Sequence, residues 1–394
     1  MTILSKLIRQ LVEQVITETE LPVKQKVSIS IPEDIRELTQ IFVSNGFKLY
    51  VVGGAVRDAL LGKEPKDWDV ATDAQPDQIL QMFQGRQGYK TLEIGKSFGI
   101  INVISPSGEE FEIATFRKDI GAGRRPDSVE FTDIATDVMR RDLTINALFY
   151  DLETGEVVDY VGGIEDLKNG VVKSVGDPVE RFNEDRLRIL RAIRFAARMG
   201  SQLDPETEKA IRQDNSLSGV SPERIRDEFL KGFKSAKSVS QFLSIISNLD
   251  LWSEVFPGLI VSPGSVSGQT KNELIFLAEL LQDNSPERVR TTLNKLKYSA
   301  QEASGVTFLL MFKDLDISNA IDLWKINSKQ VKMDSSTLEQ FSSIFGSPDK
   351  RLLSAFVNYK PSVSSEELMA QGLSGKELGQ KIKELETERF QALL

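Results

Sequence analysis

The stretch from Leu49 to Thr72, LYVVGGAVRDALLGKEPKDWDVAT, places three kinds of reactive group close together. It reads as a strand ending in Gly53 and Gly54, a helix carrying Arg57 and Asp58, and a second strand presenting Asp67, Trp68 and Asp69. In a strand, residues i and i+2 share a face, so Asp67 and Asp69 project together while Trp68 turns away. Two carboxylates on one face suit a hard divalent metal. Magnesium takes oxygen ligands from one or two carboxylates and fills its shell with water and substrate phosphates. Gly53 and Gly54 let a phosphate approach the backbone closely, the following helix start favours anions, and Arg57 adds a charged donor. Taken singly, a D-x-D or a Gly-Gly turn is compatible with a solvated surface turn; their combination points to a metal-phosphate site.

The elements that must hold these groups follow from the surrounding pattern. Up to about residue 150, short β-type runs alternate with helical stretches: Leu49 to Val52, Val70 before a cap signal at Thr72 and Asp73, Gly99 to Ile104, and Phe111 to Phe116. This predicts a mixed α/β domain with a small sheet. Beyond Asp177 helical periodicity dominates, as in Leu187, Leu190, Ile193 and Phe195, and the rest reads as all helical. Breaks are expected at 162–178, 261–268 and 346–348, where Gly, Pro, Ser or Asp concentrate. The opening residues, with Leu4, Leu7, Ile8, Leu11, Val12, Val15 and Ile16 among charges, predict an amphipathic helix rather than a secretory segment.

Composition narrows the chemistry further. The 394 residues include no histidine and no cysteine, which removes Ser-His-Asp and Cys-His nucleophiles, thiolate metal sites and disulfides. Catalysis must run on carboxylates, lysine, arginine, hydroxyls, backbone amides and hard metal ions. The formal net charge of -9 requires any nucleic-acid contact to come from a local concentration of Arg and Lys.

GGAVRDALLG followed by KDWDVAT resembles the signature of the DNA polymerase beta nucleotidyltransferase superfamily, in its class II branch of tRNA nucleotidyltransferases (CCA-adding enzymes) and bacterial poly(A) polymerases. The similarity continues along the chain. Glu112, in FEIATFR, resembles the third acidic position of the catalytic centre, an exposed strand Glu being the alternative. GAGRRPDSVEFTD, residues 121–133, is similar to the flexible loop of full CCA-adding and A-adding enzymes, and is otherwise a long surface loop. RRDLTINALFYD, residues 140–151, resembles the second family motif, which implies ribose contact by Arg141 and Asp142 and a nucleotide-binding place for Asn146. A carboxylate accepting from a 2′-hydroxyl is a physical means of choosing ribonucleotides; a helix-capping role for Asp142 stays open. DYVGGIEDL, residues 159–167, resembles the hinge-like motif that follows.

Residues 176–200 carry six arginines and resemble the nucleotide-selecting E-D-x-x-R motif, which implies base contact by Asp185 and Arg188 and includes Arg191 in the nucleotide-binding set. The spacing predicts Asp185 and Arg188 one turn apart on a single helix, where a plain salt bridge is the alternative. A carboxylate accepts only and a guanidinium donates only, so the pair requires a base with an amine beside a ring-nitrogen acceptor. Cytosine and adenine fit. Guanine and uracil present the opposite order and would strand buried polar groups at about 1–3 kcal/mol each.

The resemblance implies an α+β chain: a mixed α/β nucleotidyltransferase head with a small, polymerase-beta-like palm sheet, followed by an all-helical neck, body and tail. The expected divisions are an amphipathic N-terminal helix at 1–30, head at 31–175, neck at 176–236, body at 237–320 and tail at 321–394, with Lys376, Lys381 and Lys383 available to tRNA. It implies catalytic Asp67, Asp69 and Glu112, Mg2+ on Asp67 and Asp69, nucleotide contact by Gly53, Gly54 and Arg57, and CTP, ATP and tRNA as partners, with a cytoplasmic location and no membrane contact. Template-independent CCA addition to tRNA 3′ ends is the implied activity; poly(A) or A-adding activity on the same fold, and a silent RNA-binding protein, are the alternatives.

Overall fold

The computed structural model describes residues 22–65, 67–121 and 128–394. Residues 1–21 of the helix expected over 1–30 and residues 122–127 of the expected flexible loop lie outside them. The chain divides into two compact units after Gly219.

The first unit is built on a mixed sheet. Its strands are β1 (Val23–Lys26), β2 (Leu49–Val52), β3 (Val70–Thr72), β4 (Lys90–Leu92), β5 (Ile100–Ile104), β6 (Glu110–Thr115), and, after the separate β7–β8 hairpin (Arg117–Ile120 and Ser128–Phe131), β9 (Leu148–Asp151) and β10 (Glu156–Asp159). Among the described residues the sheet order is β1-β10-β9-β2-β3-β6-β5-β4. The β3–β6 pair is parallel and the other neighbours are antiparallel. Helices α1 (Glu33–Ser44), α2 (Gly54–Leu60) and α3 (Pro76–Phe83) supply Ile35, Leu38, Phe42, Val56, Ile79 and Phe83 to the core beneath β2, β3, β5 and β6. The alternation Ile101 and Val103 buried against Ile100 and Asn102 half-buried shows which face of β5 meets that core.

Four local expectations differ from what the chain does. Val23–Lys26, inside the span expected to be helical, pairs antiparallel with β10 from Val23 opposite Asp159 to Lys26 opposite Glu156. The ladder of β3 begins at Val70, not Asp67; Asp69 reaches it through one bond, from Val52 N to Asp69 O at 3.0 Å. The cap of α3 is Gln75, whose N–H is accepted by the Gln78 side chain at 2.8 Å, because Pro76 sets the first helical turn there. Thr72 and Asp73 instead bond the Lys48 backbone.

The fourth concerns the segment expected as one long helix. It forms α6 (Pro178–Glu184) and α7 (Leu187–Met199), following α4 (Ile134–Met139) and α5 (Gly163–Asn169). Asp185 is extended at φ -152° and ψ 103°, its N–H closing α6 on Arg181 O and its side chain accepting from Leu187 N at 3.2 Å. Asp185 thus ends one helix and its side chain takes up the first N–H of the next, whose N-cap is Arg186, so it does not share a continuous helix with Arg188. A short parallel bridge, β11 (Val171–Val172) to β12 (Gln202–Leu203), is the one strand pair reaching past Asp177 among the described residues, and it joins α7 and α8 (Pro205–Gln213) to the head. The divide at Gly219 therefore falls inside the segment expected as a neck.

The second unit is helical throughout its described residues: α9 (Pro222–Ser235), α10 (Val239–Asn248), α11 (Trp252–Val255), α12 (Glu273–Leu281), α13 (Pro286–Lys295), α14 (Ala300–Phe312), α15 (Ala320–Ile326), α16 (Ser335–Phe345), α17 (Lys350–Asn358), α18 (Ser365–Ala370) and α19 (Gly375–Gln391). Phe229, Phe233 and Phe276 stack in its first core, and in a second Phe308 stacks on Phe312, which meets Phe341 tilted and Phe356 edge-on. Of the tail lysines, Lys381 pairs with Glu384 and Lys383 with Asp322. Among the described residues no helix is long and apolar enough to cross a membrane.

Candidate active site

The carboxylates meet at the end of the central strands. Trp68 packs against the head core while Asp67 and Asp69 are exposed, so the alternation expected of the D-x-D holds although these residues precede the ladder. Val70 lies opposite Ile113 in the parallel β3–β6 pair, and the same register one residue earlier sets Asp69 level with Glu112. Their charges act on one another. Partial loss of solvation against the surrounding chain, then Asp67, pushes the Asp69 carboxyl up, against Arg141; the same loss, then Asp69, pushes Glu112 up, against Arg117, although all these side chains keep surface open to solvent. Oxygen donors that raise one another in this way are a donor set that a hard cation would neutralise. Among the described residues no cluster of three or more acidic side chains forms a ready-made cage, so the set is a pair suited to an ion completing its shell elsewhere.

Beside this pair, Gly53 ends β2 with φ +67° and ψ -119°, a conformation that disfavours any side chain, and its N–H bonds Leu148 O. A Cβ there would lie 3.6 Å from Asn146 O and 3.8 Å from Arg141 Nη1. The Gly-Gly turn thus runs against the second motif. Gly54 opens α2, four residues before Asp58.

Arg57 has a different setting from the one expected. Its side chain is 3% exposed, and its donors are committed within the protein: Nε and Nη2 to Asp58 Oδ1, Nη1 to Asn146 Oδ1. Asn146, itself buried, donates through Nδ2 to Asp142 Oδ1 at 3.3 Å. Asp142 also accepts from Leu143 N at 2.8 Å and from Arg191 Nε at 2.7 Å. Burial raises this carboxyl, but Arg191 and these hydrogen bonds outweigh it and hold it below the ordinary carboxylate range. The cap of the short 3-10 turn Thr144–Asn146 is Leu143, not Asp142.

The motif at 159–167 seats that turn. Asp159, buried, accepts from Val161 N, Gly163 N and Ile164 N and so starts α5. Gly163 has no room for a side chain, since a Cβ would fall 2.2 Å from Thr144 O, and Thr144 Oγ1 donates to Asp166 at 2.6 Å. The turn carrying Asn146 is therefore clamped against α5.

Arginines line the other side. Helix α7 buries Leu187, Ile189, Leu190, Ala192, Ile193, Phe195, Ala196 and Ala197, and its helical spacing gathers Arg191, Arg194 and Arg198 on one narrow stripe, with Arg188 beyond Phe195. Arg57, Arg191 and Arg194 lie 4.9, 5.8 and 4.2 Å from the Phe195 ring centre. Arg188 donates to Glu184 at 2.6 Å, to Arg181 O and to Arg140 O.

One residue that composition and spacing did not single out organises much of this. Asp137 is 1% exposed and accepts from Arg140 Nε, Arg141 Nε and Nη2, and the Arg117 N–H at the base of the β7–β8 hairpin. Arg141 also lies 4.6 Å from the Phe149 ring centre. The sequence signal was an aspartate three and four positions before a double arginine on a helix.

Residues 49–173 match the poly A polymerase head domain family, and 200–261 match the family described as the probable RNA and SrmB-binding site of polymerase A. A CCA-adding enzyme of Pediococcus pentosaceus is 36% identical over 328 residues, 81% of this chain and 75% of that protein. The chain belongs to the CCA-adding enzyme family. The CCA-adding enzyme of Bacillus licheniformis is 41% identical over 229 residues, and there the match spans about half of the relative's length, 54%. The fold agrees with that of CCA-adding enzymes of known structure: one from Bacillus stearothermophilus, in complex with CTP, aligns with a TM-score of 0.65 over 92% of both chains at 24% identity. The Thermotoga maritima CCA-adding enzyme complexed with tRNA aligns at 0.64 over 93% of this chain and 95% of that one, at 21% identity.

Proposed function

We propose that the chain adds CCA to the 3′ end of tRNA from CTP and ATP without a nucleic-acid template. The observation that carries this is the register of β3 and β6, which brings Asp69 level with Glu112 beside the Gly53-Gly54 turn. Relatives named CCA-adding enzyme, one of them matched over three quarters of its length, support the choice of substrate. Head (31–175), neck (176–236), body (237–320) and tail (321–394) remain the proposed functional divisions, with the head holding the chemistry.

In this scheme the terminal 3′-oxygen of the tRNA forms a bond to the α-phosphorus, the bond from that phosphorus to the bridging oxygen breaks, pyrophosphate leaves, and the hydroxyl proton passes to solvent. Asp67 and Asp69 would hold two magnesium ions, which lower the pKa of an attacking hydroxyl and neutralise the leaving pyrophosphate. Glu112, next to Asp69, orients the primer end. Gly53 and Gly54 admit the phosphates to the backbone. Arg57 serves differently from the phosphate donor expected: it is buried and fixes Asn146. Arg141, held by Asp137, lies beside the Gly53 turn, and Asp142 reads the ribose. Asp185 and Arg188 choose cytosine and adenine by accepting from the amine and donating to the ring nitrogen.

Incubation of tRNA transcripts ending before CCA, after C and after CC with labelled CTP or ATP tests the proposal. CTP should enter the first two and ATP the third. Incorporation of ATP alone would assign A-adding or poly(A) activity, and no magnesium-dependent pyrophosphate release with any substrate would leave only RNA binding.

A further inference from the structure

The row of side chains that starts at the Gly53 turn does not end at Glu112. Register carries it across the sheet: Asp69 bonds Val52 of β2 on one side and stands level with Glu112 of β6 on the other, Glu112 pairs with Asn102 of β5, and Asn102 pairs with Leu92 of β4. Paired residues of neighbouring strands share a face, with Cα atoms roughly 4.5–5.5 Å apart. On β2, β3, β9 and β10 this face is closed, since Tyr50, Val52, Ala71, Phe149 and Val158 are buried in a cluster with Phe116. On β6, β5 and β4 it is not. Asn102 is half-buried, Glu110, Glu112 and Leu92 are exposed, and neither apolar cluster of the first unit takes a buried side chain from there.

In-line transfer sets the primer end on that open side. The attacking and leaving oxygens lie on opposite sides of the phosphorus, and the proposed seat of the leaving pyrophosphate is the Gly53-Gly54 turn, on the β2 side of Asp69. The attacking 3′-oxygen therefore approaches from the β6 side, and the ribose that bears it extends toward β5. The base on that ribose changes as C, C and A are added, so a contact that serves every step must go to the sugar. The constant group beside the 3′-oxygen is the 2′-hydroxyl, which both donates and accepts.

Asn102 meets this requirement. Its Nδ2 donates to Glu110 Oε1 at 2.5 Å, on the diagonal neighbour in β6 rather than on Glu112 directly opposite. That bond fixes which end of the amide is the donor. Oδ1 accepts from no described residue and keeps its lone pairs for a ligand.

We infer that Asn102 Oδ1 accepts the 2′-hydroxyl of the terminal nucleotide of the tRNA and so places the neighbouring 3′-oxygen beside Glu112 and Asp69. The inference rests on the proposed nucleotidyl transfer at Asp67 and Asp69. It makes Asn102 a specificity-determining residue for the primer: the enzyme prefers a ribose end to a 2′-deoxyribose end whichever base that end carries.

The test compares kcat/KM for two tRNA transcripts ending before CCA, one with an ordinary terminal nucleotide and one with a 2′-deoxy terminal nucleotide, each extended with CTP. The ratio of ribose end to deoxyribose end should fall about three- to tenfold from wild type to Asn102→Ala, the worth of one hydrogen bond. The same fall is expected with ATP on a tRNA ending in CC. The influence of the 2′-oxygen on the acidity of its neighbour is equal in both proteins and cancels, as does the fraction of active enzyme. A merely structural defect lowers both ends alike and leaves the ratio alone. Asn102→Val, suited to a strand and equally without an amide, carries the test if the Ala variant does not fold. An unchanged ratio in the variants, with wild type extending the ribose end, overturns the role of Asn102 and leaves CCA addition standing. A wild type that extends neither end overturns both.

Discussion

Arg198 Nη2 donates to Asp58 Oδ2 at 2.9 Å across 140 positions of sequence. The other oxygen of Asp58 accepts from Arg57 Nε and Nη2. One carboxylate thus ties the short helix after the Gly-Gly turn to the far end of the arginine-bearing helix α7. Burial works against the charge on Arg57, and Asp58 opposes that effect. Asp58→Ala would leave Arg57, 3% exposed, without its anion. We expect a loss of about 3 kcal/mol in urea unfolding, the scale of a broken buried pair, with Arg198→Ala costing less because that side chain is 33% exposed.

Asp67→Ala and Asp69→Asn should each reduce incorporation of both CTP and ATP by at least about 10³-fold, since several kcal/mol of charge stabilisation is removed. Both residues are exposed, so melting temperature should hold. Retained incorporation with either variant would refute the metal assignment.

Asp137→Ala should act on both stability and turnover. It strands Arg140 and Arg141 in a nearly closed setting, where the buried anion is 1% exposed. About 3 kcal/mol of stability should be lost. The kcat for both nucleotides should fall together, and a variant with native kinetics would show that Arg141 needs no brace.

The second unit carries an acid-sensitive contact. Glu386 is buried and accepts from the Tyr359 hydroxyl and from Ser362 N and Val363 N at 2.8 and 2.7 Å. Burial pushes its carboxyl up, but these donors prevail and hold it below the usual value. A carboxyl depressed on folding adds stability above the unfolded-state value, about 4.3 for Glu, and that stability is lost as pH falls below it. Urea midpoints from pH 7 down to pH 3 should drop less steeply for Glu386→Gln than for wild type.

What the sequence disclosed follows the range of its forces. Leu49–Val52 and the period of α7 were legible because hydrophobic alternation is a local signal. The partnership of Asp69 with Glu112 was not, because register belongs to pairs of strands rather than to either alone. Asp185 was misread as mid-helix since the same residue type favours an interior ion pair and a cap, and only the backbone turn decides between them. Arg57 looked like a phosphate donor until its burial showed which partners it had. Asp137 illustrates the converse: its spacing from Arg141 was visible, but nothing in one sequence says that the face it lies on is closed to solvent.

The parallel pairing of β3 with β6 also fixes an order of events during synthesis. Asp67 and Asp69 are translated about forty residues before Glu112, and α3, β4 and β5 intervene. Until β6 exists, β3 lacks one neighbour and Asp69 has no Glu112 level with it. The juxtaposition of Asp69 with Glu112 is consequently a late, non-local product of folding, and a nascent chain cannot form it before the whole strand pair has been made.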